Sequence, residues 1–521
     1  MNTQNNQTRR ALISVSDKTG LVSLAQALTK LSFEIISTGG TARVLREAGV
    51  PVRDITELTQ FPEIMDGRVK TLHPSVYGGL LARTGIDETV TTEHDIEWID
   101  LLVVNLYPFE STIAHPDCTI KQAIENIDIG GPAMLRAAAK NHSRLTVVVE
   151  PDDYQRVLDA FENGEPPDEL RQELAVKAFS HTGAYDDTIS TYLSRTYFRE
   201  AFPTSLALRG IRTANLRYGE NPHQKAAVYR LAKTAQSGVP GAIQIQGKPL
   251  SFNNLADTDA AVQCARALGE CGCVIVKHAN PCGAATAQTP LKAYERAYRT
   301  DPTSAFGGII AFNRALDGET ANAIINQQLA DVIVAPQICD DARQVLDKKK
   351  SVRVLEVTAL ESESGNGDWD FRSLEGGFLV QEHDLDKSQN IELKIVTKRA
   401  PSDQEIKDLH FAWTIAKYVK SNAIVFASEG RTLGVGAGQM SRVMSARIAA
   451  MKAADEGLNL AGSAMASDAF FPFRDGIDIA AKHGITCVIQ PGGSVRDKEV
   501  ILAADEHNIA MALTGVRHFR H

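Results

Sequence analysis

Short apolar runs alternate with amphipathic stretches along the first 200 residues. The strand-length runs lie at 11–16, 33–37, 101–106 and 145–149. The first is followed by a helical pattern from Leu21 to Leu31, and Asp17 stands where it could cap that helix. Strands that alternate with helices in this way predict a doubly wound α/β domain with a parallel sheet.

The alternation continues in the second part of the chain. A helical pattern from Asp257 to Leu268 precedes the apolar run Cys273–Val276, which ends in Lys277 and His278. An uninterrupted apolar run is typical of a strand buried on both faces, so we expect a strand of a parallel sheet here. The residues 280–283, Asn-Pro-Cys-Gly, are expected to turn the chain sharply.

Two passages of the second part share an order of elements. Strands predicted at 273–276 and 423–426 are each followed by a helix and by the residues Ser, Ala and Phe, at 304–306 and within 467–470. This order predicts an internal duplication. Residues 361–371 are rich in glycine and acidic residues and predict an exposed loop.

Length, composition and charge narrow the class of protein. The chain has 521 residues, so two or three domains are expected. Its net charge of -9 disfavours a general nucleic-acid binder, and no apolar run approaches a membrane span. The polar N-terminus lacks the apolar core of a signal peptide. We expect a cytoplasmic enzyme whose seven cysteines are reduced thiols packed as small apolar residues.

The pair Lys277 and His278 is a candidate proton-transfer site. Functional groups collect at the carboxyl ends of strands in open α/β sheets. A neighbouring ammonium would lower the imidazole pKa and keep it available as a base near neutrality. The two side chains share a site only if the strand has begun to unwind there. From these residues alone, a solvated strand end with a structural histidine remains an equal alternative.

A second candidate is the turn Ser37, Thr38, Gly39, Gly40 and Thr41. It offers hydroxyls and backbone N–H groups at the start of a helix, which suits a phosphate group. The turn matches neither of the standard glycine-rich nucleotide-binding patterns, so an ordinary tight turn is the alternative.

Further along the chain, the cationic segment 67–74 contains Arg68 and Lys70, which share one side.

Taken together, these segments resemble one family over nearly the whole chain: the bifunctional purine-biosynthesis enzymes that are both AICAR formyltransferase and IMP cyclohydrolase. AICAR is 5-aminoimidazole-4-carboxamide ribonucleotide. The motifs that carry the resemblance are SVSDKTG (14–20), STGGTA (37–42), GRVKTLHP (67–74), NLYPF (105–109), IDIGG (127–131), RAAAKNH (136–142), LRYGENPHQ (216–224), VKHANPCG (276–283), SAFGG (304–308), SDAFFPFRD (467–475) and RHFRH (517–521).

The resemblance implies a cyclohydrolase domain over 1–199 with a methylglyoxal-synthase-like α/β fold. It implies a transformylase over 200–521, built from two cytidine-deaminase-like subdomains. It also implies a homodimer whose transformylase site crosses the subunit interface. Zinc deaminases of the related fold carry H-x-E and P-C-x-x-C, whereas here His278 is followed by Ala279-Asn280 and Cys282 by Gly283-Ala284-Ala285. We therefore expect no zinc.

For formyl transfer, the resemblance makes His278 the base that deprotonates the attacking amine. Lys277 assists the leaving folate nitrogen or the oxyanion, and Asn422 holds the imidazole or the nucleotide. Arg217 and Arg517 match positions that bind the nucleotide, where a guanidinium suits a phosphate. The other substrate and cosubstrate positions are Tyr218, His223, Asn253, Gly308, Asp331, Phe470, Phe471 and Asp475. By itself, the Phe pair would be ordinary core.

For ring closure, the resemblance assigns Lys70, Tyr107, Asp128 and Lys140 to the catalytic site. Asn105, Arg68 and Thr71 lie nearby in the family pattern. Ser16, Lys18 and the turn Ser37–Thr41 would hold the 5′-phosphate. Each lysine has an ordinary surface role as its alternative.

The implied cosubstrate is 10-formyltetrahydrofolate, with AICAR and formyl-AICAR as substrates and no nucleotide cofactor, nucleic acid or membrane partner. Two other functions stay open from the residues. A deaminase-like zinc hydrolase is disfavoured by the missing ligands. A non-catalytic folate- or nucleotide-binding regulator is disfavoured by the polar residues present at every motif position.

Overall fold

The computed structural model describes residues 8–65, 67–199, 202–231, 238–357, 369–384 and 391–521. The chain divides into two compact units, unit 1 (Met1–Arg209) and unit 2 (Gly210–His521). Most of the loop predicted at 361–371 lies outside the described residues, but Trp369 already belongs to a strand.

Unit 1 contains five strands among its described residues. They are β1 (Arg9–Ser14), β2 (Phe33–Ser37), β3 (Arg53–Asp54), β4 (Leu101–Val104) and β5 (Thr146–Val148). The helices are α1 (Leu21–Lys30), α2 (Gly39–Glu47), α3 (Ile55–Thr59), α4 (Pro74–Leu81), α5 (Glu88–Glu93), α6 (Phe109–Ala114), α7 (Ile120–Glu125), α8 (Gly130–Lys140), α9 (Tyr154–Glu162) and α10 (Asp168–Phe198).

The unit 1 sheet is parallel throughout, in the order β3-β2-β1-β4-β5. Ala11 of β1 lies opposite Ile35 on one side and Leu101 on the other, and all three are buried. The predicted doubly wound domain is confirmed. Because the strands are parallel, β1, β2 and β4 all end at one edge, which we call the carboxyl edge.

The first helix starts later than the sequence suggests. Its N-cap is Gly20, with φ +68°, and no side chain caps it. Asp17 instead accepts a hydrogen bond from the backbone N–H of Thr19 at 2.9 Å. The prediction that Asp17 caps α1 is therefore wrong, because the left-handed Gly20 lies between that carboxylate and the helix.

Unit 2 contains sixteen strands and nine helices among its described residues. The strands are β6 (Gly210–Leu216), β7 (Ala226–Leu231), β8 (Ile243–Gln246), β9 (Cys271–Lys277), β10 (Asn280–Ala287), β11 (Gly308–Phe312), β12 (Ala330–Ala335), β13 (Arg353–Glu356), β14 (Trp369–Leu374), β15 (Gly377–Glu382), β16 (Lys394–Ile395), β17 (Ile424–Ser428), β18 (Arg431–Gly436), β19 (Ala464–Ser467), β20 (Cys487–Gln490) and β21 (Ala510–Leu513). The helices are α11 (Phe252–Arg266), α12 (Pro290–Tyr298), α13 (Pro302–Ala305), α14 (Gly318–Gln327), α15 (Asp340–Leu346), α16 (Asp403–Lys417), α17 (Arg442–Asp455), α18 (Asp475–Lys482) and α19 (Asp497–Glu506).

Twelve of these described strands form one sheet, in the order β16-β21-β20-β19-β17-β18-β10-β9-β11-β12-β13-β8. Each half contains an antiparallel hairpin, β9–β10 or β17–β18. Next to each hairpin lie three mutually parallel strands, and an antiparallel strand closes the edge. The predicted internal duplication is confirmed, because the two halves repeat one pairing pattern.

The Ser-Ala-Phe match that suggested the duplication is not part of it. Ser304–Phe306 lies just before β11, whereas Ser467–Phe470 begins at the last residue of β19 and continues beyond it. The strands β11 and β19 are equivalent, since each pairs antiparallel with the first strand of its hairpin. The two matched segments therefore lie at opposite ends of equivalent strands.

The strand that contains Cys273–Val276 is antiparallel to both neighbours, β10 and β11, so the prediction of a parallel strand is wrong. Helices cover both faces of the sheet, and this burial produces an apolar run whatever the strand direction. The sharp turn falls at His278–Ala279, and Asn280 to Gly283 already belong to β10. Helix α11 also begins early, because Ser251 caps it.

One edge of the sheet contains strand ends from both halves. Strands β9, β18, β19, β20 and β21 end there, and β10, β11, β12 and β17 begin there. We call it the His278 edge.

Glycines let one helix of each half approach its hairpin closely. A Cβ on Gly283 would lie 2.1 Å from the carbonyl oxygen of Ala297 in α12. A Cβ on Gly436 would lie 2.0 Å from the carbonyl oxygen of Ser445 in α17. These contacts involve backbone atoms and leave no room for a side chain.

Substituting Gly436→Ala should therefore destabilise unit 2. We expect a loss of about 1–3 kcal/mol, the usual cost of overpacking. It is measured as a lowered urea or thermal midpoint of the unit 2 transition. The matched control is Gly183→Ala in α10, where a Cβ meets nothing within 4 Å. This change should stabilise unit 1 by about 1 kcal/mol. An unchanged unit 2 midpoint in Gly436→Ala would contradict the expected clash.

Candidate functional site

At the carboxyl edge of unit 1, the N-terminus of α2 is flanked by two ammonium groups. The helix begins at Gly39, so the N–H groups of Gly39 and Gly40 have no acceptor within it. The Lys70 ammonium lies 3.8 Å from the position of a Cβ on Gly39. The Lys18 ammonium donates to Thr41 Oγ1 at 3.0 Å, and burial lowers the pKa of Lys18. This arrangement suits a phosphate group.

The hydroxyls of the same turn are used inside the fold. Ser37 donates to the carbonyl of Ile13 at 2.6 Å, and Thr41 donates to the carbonyl of Val15 at 3.0 Å. The Thr38 hydroxyl lies 3.1 Å from that of Ser14. These bonds hold the turn against β1, so the backbone N–H groups of the two glycines are the open donors.

Asn105 fixes the loop that follows β1. Its Oδ1 accepts from the backbone N–H of Ser16 at 2.5 Å and of Asp17 at 2.9 Å. Its Nδ2 donates to the carbonyl of Asp17 at 3.2 Å. The loop that carries Ser16 and Lys18 is thereby tied to the end of β4.

Two carboxylates interact with Lys70: Glu63, whose Oε1 lies 3.9 Å from the ammonium, and the less exposed Asp128. Burial raises the pKa of the Asp128 carboxyl, opposed by a 2.8 Å hydrogen bond from the N–H of Gly131, by the charge on Lys70 and by the N–H groups of Tyr107 and Gly130. The structure thus brings together Lys70, Asp128 and the backbone N–H of Tyr107. A buried carboxylate with a raised pKa is suited to general-base work.

Two neighbours from the GRVKTLHP motif differ in exposure. Thr71 is buried, and its hydroxyl lies 2.6 Å from the position of a Cβ on Gly130, beside Asp128. Arg68 is exposed and forms an ion pair with Glu125 at 2.6 Å. Thr71 therefore belongs to the Asp128 group, and Arg68 lies at its surface.

Lys140 is not brought to this group within one chain. It is the last residue of α8, and Asp128 lies just before the first. Ten helical residues separate the two ends by about 15 Å. Lys140 instead lines a surface cavity of about 740 Å³ together with Arg136 and Phe179.

At the His278 edge of unit 2, the chain unwinds as the sequence analysis required. His278 has φ +51°, and its side chain is exposed. The Lys277 ammonium donates to the carbonyl groups of Phe306 at 3.0 Å and Gly307 at 2.9 Å. Both side chains therefore reach one edge, with the lysine held on the segment before β11.

Asn280 links the two halves of the sheet beside His278, and Asn422 bonds within the second half. Asn280 donates to the carbonyl of His278 at 3.0 Å and accepts from the N–H of Lys420 at 2.9 Å. Asn422 donates from Nδ2 to the carbonyl of Gln439 at 2.8 Å. Asn422 begins the approach to β17 just beyond Lys420, so it lies at the same edge as the imidazole.

The LRYGENPHQ segment docks on the start of α11. Asn253, in the first turn of that helix, donates to the carbonyl of Glu220 at 3.3 Å. Arg217 lies over the ring of Tyr218 at 5.7 Å, and His223 is exposed. The Asn253 bond therefore holds the segment that carries the predicted substrate-binding residues Arg217, Tyr218 and His223 against the N-terminus of α11.

Asp331 lies in an irregularity of the sheet. Gly308 pairs with Ala330 and Ile309 pairs with Val332, so Asp331 is the extra residue of a β-bulge where β12 begins. Bulges re-aim side chains and are common beside active sites. Gly308 itself serves a close approach, because a Cβ there would lie 3.0 Å from the carbonyl oxygen of Val276.

The C-terminal candidates divide into core and surface. Phe471 is buried in the core beside Gly476, whereas Phe470 is half-buried at the end of β19. Asp475 is exposed at the start of α18. Arg517 lies over the ring of Phe519 at 4.5 Å, beyond the end of β21. Phe471 therefore contributes to core packing, and Phe470, Asp475 and Arg517 remain accessible.

Sequence reasoning missed two carboxylates at the His278 edge. Asp468 is fully buried, pairs with Arg442 at 3.3 Å and accepts from the Ser421 hydroxyl. Its place within SDAFFPFRD was the available signal. Asp257, in α11, accepts from the N–H of Ala279 at 2.7 Å. Nothing local marks Asp257, because its partner lies 22 residues away in the chain.

Among the described residues, no group of three or more His, Cys, Asp or Glu side chains is arranged to hold a metal ion. Within the same residues, every helix is too short or too polar to span a membrane.

Two family models and a solved structure match parts of this chain. A family model described as AICARFT/IMPCHase bienzyme matches residues 138–452, and one described as MGS-like domain matches residues 20–133. A solved structure titled "Crystal structure of ForH" is 40% identical over 36% of this chain and 100% of its own, with a TM-score of 0.33. The bienzyme model covers more than half of the chain, which therefore belongs to the AICARFT/IMPCHase bienzyme family and is a bifunctional formyltransferase and IMP cyclohydrolase with an MGS-like N-terminal domain.

Proposed function

We propose that unit 2 transfers a formyl group from 10-formyltetrahydrofolate to the 5-amino group of AICAR, and that unit 1 closes the product to IMP. The observation that carries the first step is the exposed imidazole of His278 beside the ammonium of Lys277. The second step rests on the group of Lys70 and Asp128 beside the N-terminus of α2.

Formyl transfer needs a base and an acid. The amine of AICAR is a weak nucleophile, because its lone pair is conjugated with the ring and the carboxamide. His278 accepts the amine proton as the nitrogen attacks the formyl carbon. The departing folate nitrogen must gain a proton, and the tetrahedral oxygen carries negative charge until the bond breaks. The Lys277 ammonium serves one of these needs.

Binding of the two substrates would use the rest of the His278 edge. Arg217 and Arg517 are exposed guanidinium groups suited to the nucleotide phosphate. Phe470 suits stacking on a pterin, and the bulged Asp331 suits accepting hydrogen bonds from one. Six strand positions separate β19 from β12 in one chain, so the two residues contact one pterin only across a dimer. Asn422 lies at the same edge of the sheet and suits a role in orienting a substrate. Asp475 contributes an exposed carboxylate nearby.

Ring closure requires the carboxamide nitrogen to attack the formyl carbonyl, followed by loss of water. Asp128 takes the amide proton, and Lys70 stabilises the oxygen that becomes negative. The backbone N–H of Tyr107 stabilises the ionised form of Asp128. The 5′-phosphate binds between Lys18 and the N–H groups of Gly39 and Gly40. No cofactor is required by this chemistry.

We further propose that two copies associate through the His278 edge, so that each transformylase site includes both chains. Several large apolar side chains are exposed at this edge, and such patches mark interaction surfaces. They are Phe306, Leu329, Met440, Phe473, Val495 and Val516.

The overall reaction gives the first test. Purified protein mixed with AICAR and 10-formyltetrahydrofolate in the presence of a chelator should form tetrahydrofolate and IMP together. Absorbance would follow the folate, and chromatography would follow the purine. Tetrahydrofolate without IMP would contradict the role of unit 1. The absence of both products would favour a binding protein.

Single substitutions should separate the two activities. His278→Ala should lower formyl transfer by about 10²–10⁴-fold, the usual contribution of a general base, and leave cyclisation of added formyl-AICAR intact. Lys70→Ala should do the reverse. The matched controls are His483→Ala and Lys30→Ala, both at exposed helix ends, which should leave both rates unchanged. Loss of both activities in one folded variant would contradict a two-site enzyme.

The pH dependence of cyclisation should report on Asp128. A base must be ionised, and burial raises the pKa of this carboxyl. The rate should therefore fall, as pH is lowered, at a higher pH than an ordinary aspartate would give. Asp128→Asn should remove this acid limb together with most of the rate. Asp100→Asn is the control, because burial also raises the pKa of Asp100 at the opposite edge of the sheet. A profile that Asp128→Asn leaves unchanged would exclude Asp128 as the base.

A further inference from the structure

The duplication gives unit 2 two equivalent hairpin turns. His278 and Ala279 connect β9 to β10 with φ values of +51° and +59°. Glu429 and Gly430 connect β17 to β18 with φ values of +52° and +69°. Two-residue turns with both φ values positive match the twist of the strands they join. The first turn carries the imidazole, and the second carries no group assigned to the reaction.

A carboxylate from the preceding helix holds each turn. Asp257 of α11 accepts from the N–H of Ala279 at 2.7 Å. Asp408 of α16 accepts from the N–H groups of Glu429 and Gly430. The helices α11 and α16 occupy equivalent places, each running into the first strand of its hairpin. The duplication therefore repeats the contact as well as the strands.

The two turns differ in how much they depend on that contact. Gly430 adopts a positive φ freely, but Ala279 has a Cβ that disfavours this conformation. The first positions, His278 and Glu429, have this difficulty in both turns, so the difference lies at the second position. A strained backbone persists when its surroundings over-determine it, and here Asp257 and the Asn280 bond to the His278 carbonyl do so. The direction of the imidazole depends on this turn.

Helix α11 connects the turn with the LRYGENPHQ segment (216–224). Asn253, which contacts Glu220, and Asp257, which contacts Ala279, are four residues apart on this helix. Residues at this spacing lie on one face, about one turn apart. A shift of α11 would therefore move the LRYGENPHQ segment and the imidazole together.

We propose that Asp257 is a positioning residue for formyl transfer: its carboxylate fixes the His278–Ala279 turn and so the place of the imidazole. Asp408 makes the corresponding contact with the Glu429–Gly430 turn, where we expect it to contribute only to stability. This inference rests on the proposed role of His278 as the base. Asp257 contacts the turn and not the reacting atoms.

The test compares Asp257→Ala with Asp408→Ala in the full-length protein. Asp257→Ala should lower kcat for formyl transfer by about 10–100-fold, the range expected from a displaced catalytic group, with KM for AICAR changed by less than about twofold. Asp408→Ala should leave kcat unchanged even where it lowers the unfolding midpoint. Cyclisation of added formyl-AICAR should be normal in both and serves as the internal control.

Rescue separates positioning from general loss of structure. Asp257→Asn keeps an acceptor oxygen and should retain most of the rate. Adding Ala279→Gly to Asp257→Ala should restore part of the lost kcat, because glycine adopts the turn without the carboxylate. If Asp257→Ala does not fold, Asp257→Ser gives the same comparison, since its hydroxyl is too short to reach the Ala279 N–H.

The outcomes distinguish this inference from the proposed function. Equal kcat values for Asp257→Ala and Asp408→Ala, or a failure of both Asp257→Asn and Ala279→Gly to restore the rate, would overturn the role of Asp257. An active His278→Ala enzyme would instead remove the proposed base, whatever the Asp257 variants do. Loss of kcat in His278→Ala and Asp257→Ala, with rescue of the latter, supports both.

Discussion

The antiparallel pairing of β10 with β18 joins the two halves of the unit 2 sheet. Thr432 strengthens this seam, since its hydroxyl accepts from the N–H of Ala284 at 2.9 Å and lies 3.1 Å from the carbonyl of Ala284 as a donor. Because the two strands run in opposite directions, the edge at which β9 ends is also the edge at which β17 begins. His278 and Asn422, which are far apart in the chain, come to one place for this reason.

In unit 1 the candidate site lies at the edge of a parallel sheet. Parallel strands all end at one edge, where helix N-termini present unpaired N–H groups and partial positive charge. The lysines at 18 and 70 add full charges beside α2, and the buried Asp128 supplies the opposing base. A phosphate-binding site and a proton-transfer site therefore arise side by side from strand direction and burial.

Irregular backbone is concentrated at the His278 edge. The positive φ values of His278 and Ala279 and the bulge at Asp331 interrupt an otherwise regular sheet. Each irregularity re-aims a polar side chain out of the alternation that a regular strand imposes. The surrounding contacts, such as the Asp257 and Asn280 bonds, keep these conformations in place. Regular strand pairing forms the scaffold, and these local irregularities orient the polar side chains at its edge.

The sequence alone determined the doubly wound N-terminal domain, the duplication in the second part and the family, because hydrophobic periodicity and motif order are local properties of the chain. It gave the wrong direction for the strand at 273–276 and the wrong cap for α1, since burial and capping depend on neighbours that periodicity does not encode. Only the tertiary structure separated Lys140 from Asp128 at opposite ends of α8 and placed Phe471 in the core. It alone brought Asp257 to Ala279, because that contact depends on how α11 packs beside the hairpin and not on any pattern in the residues between them.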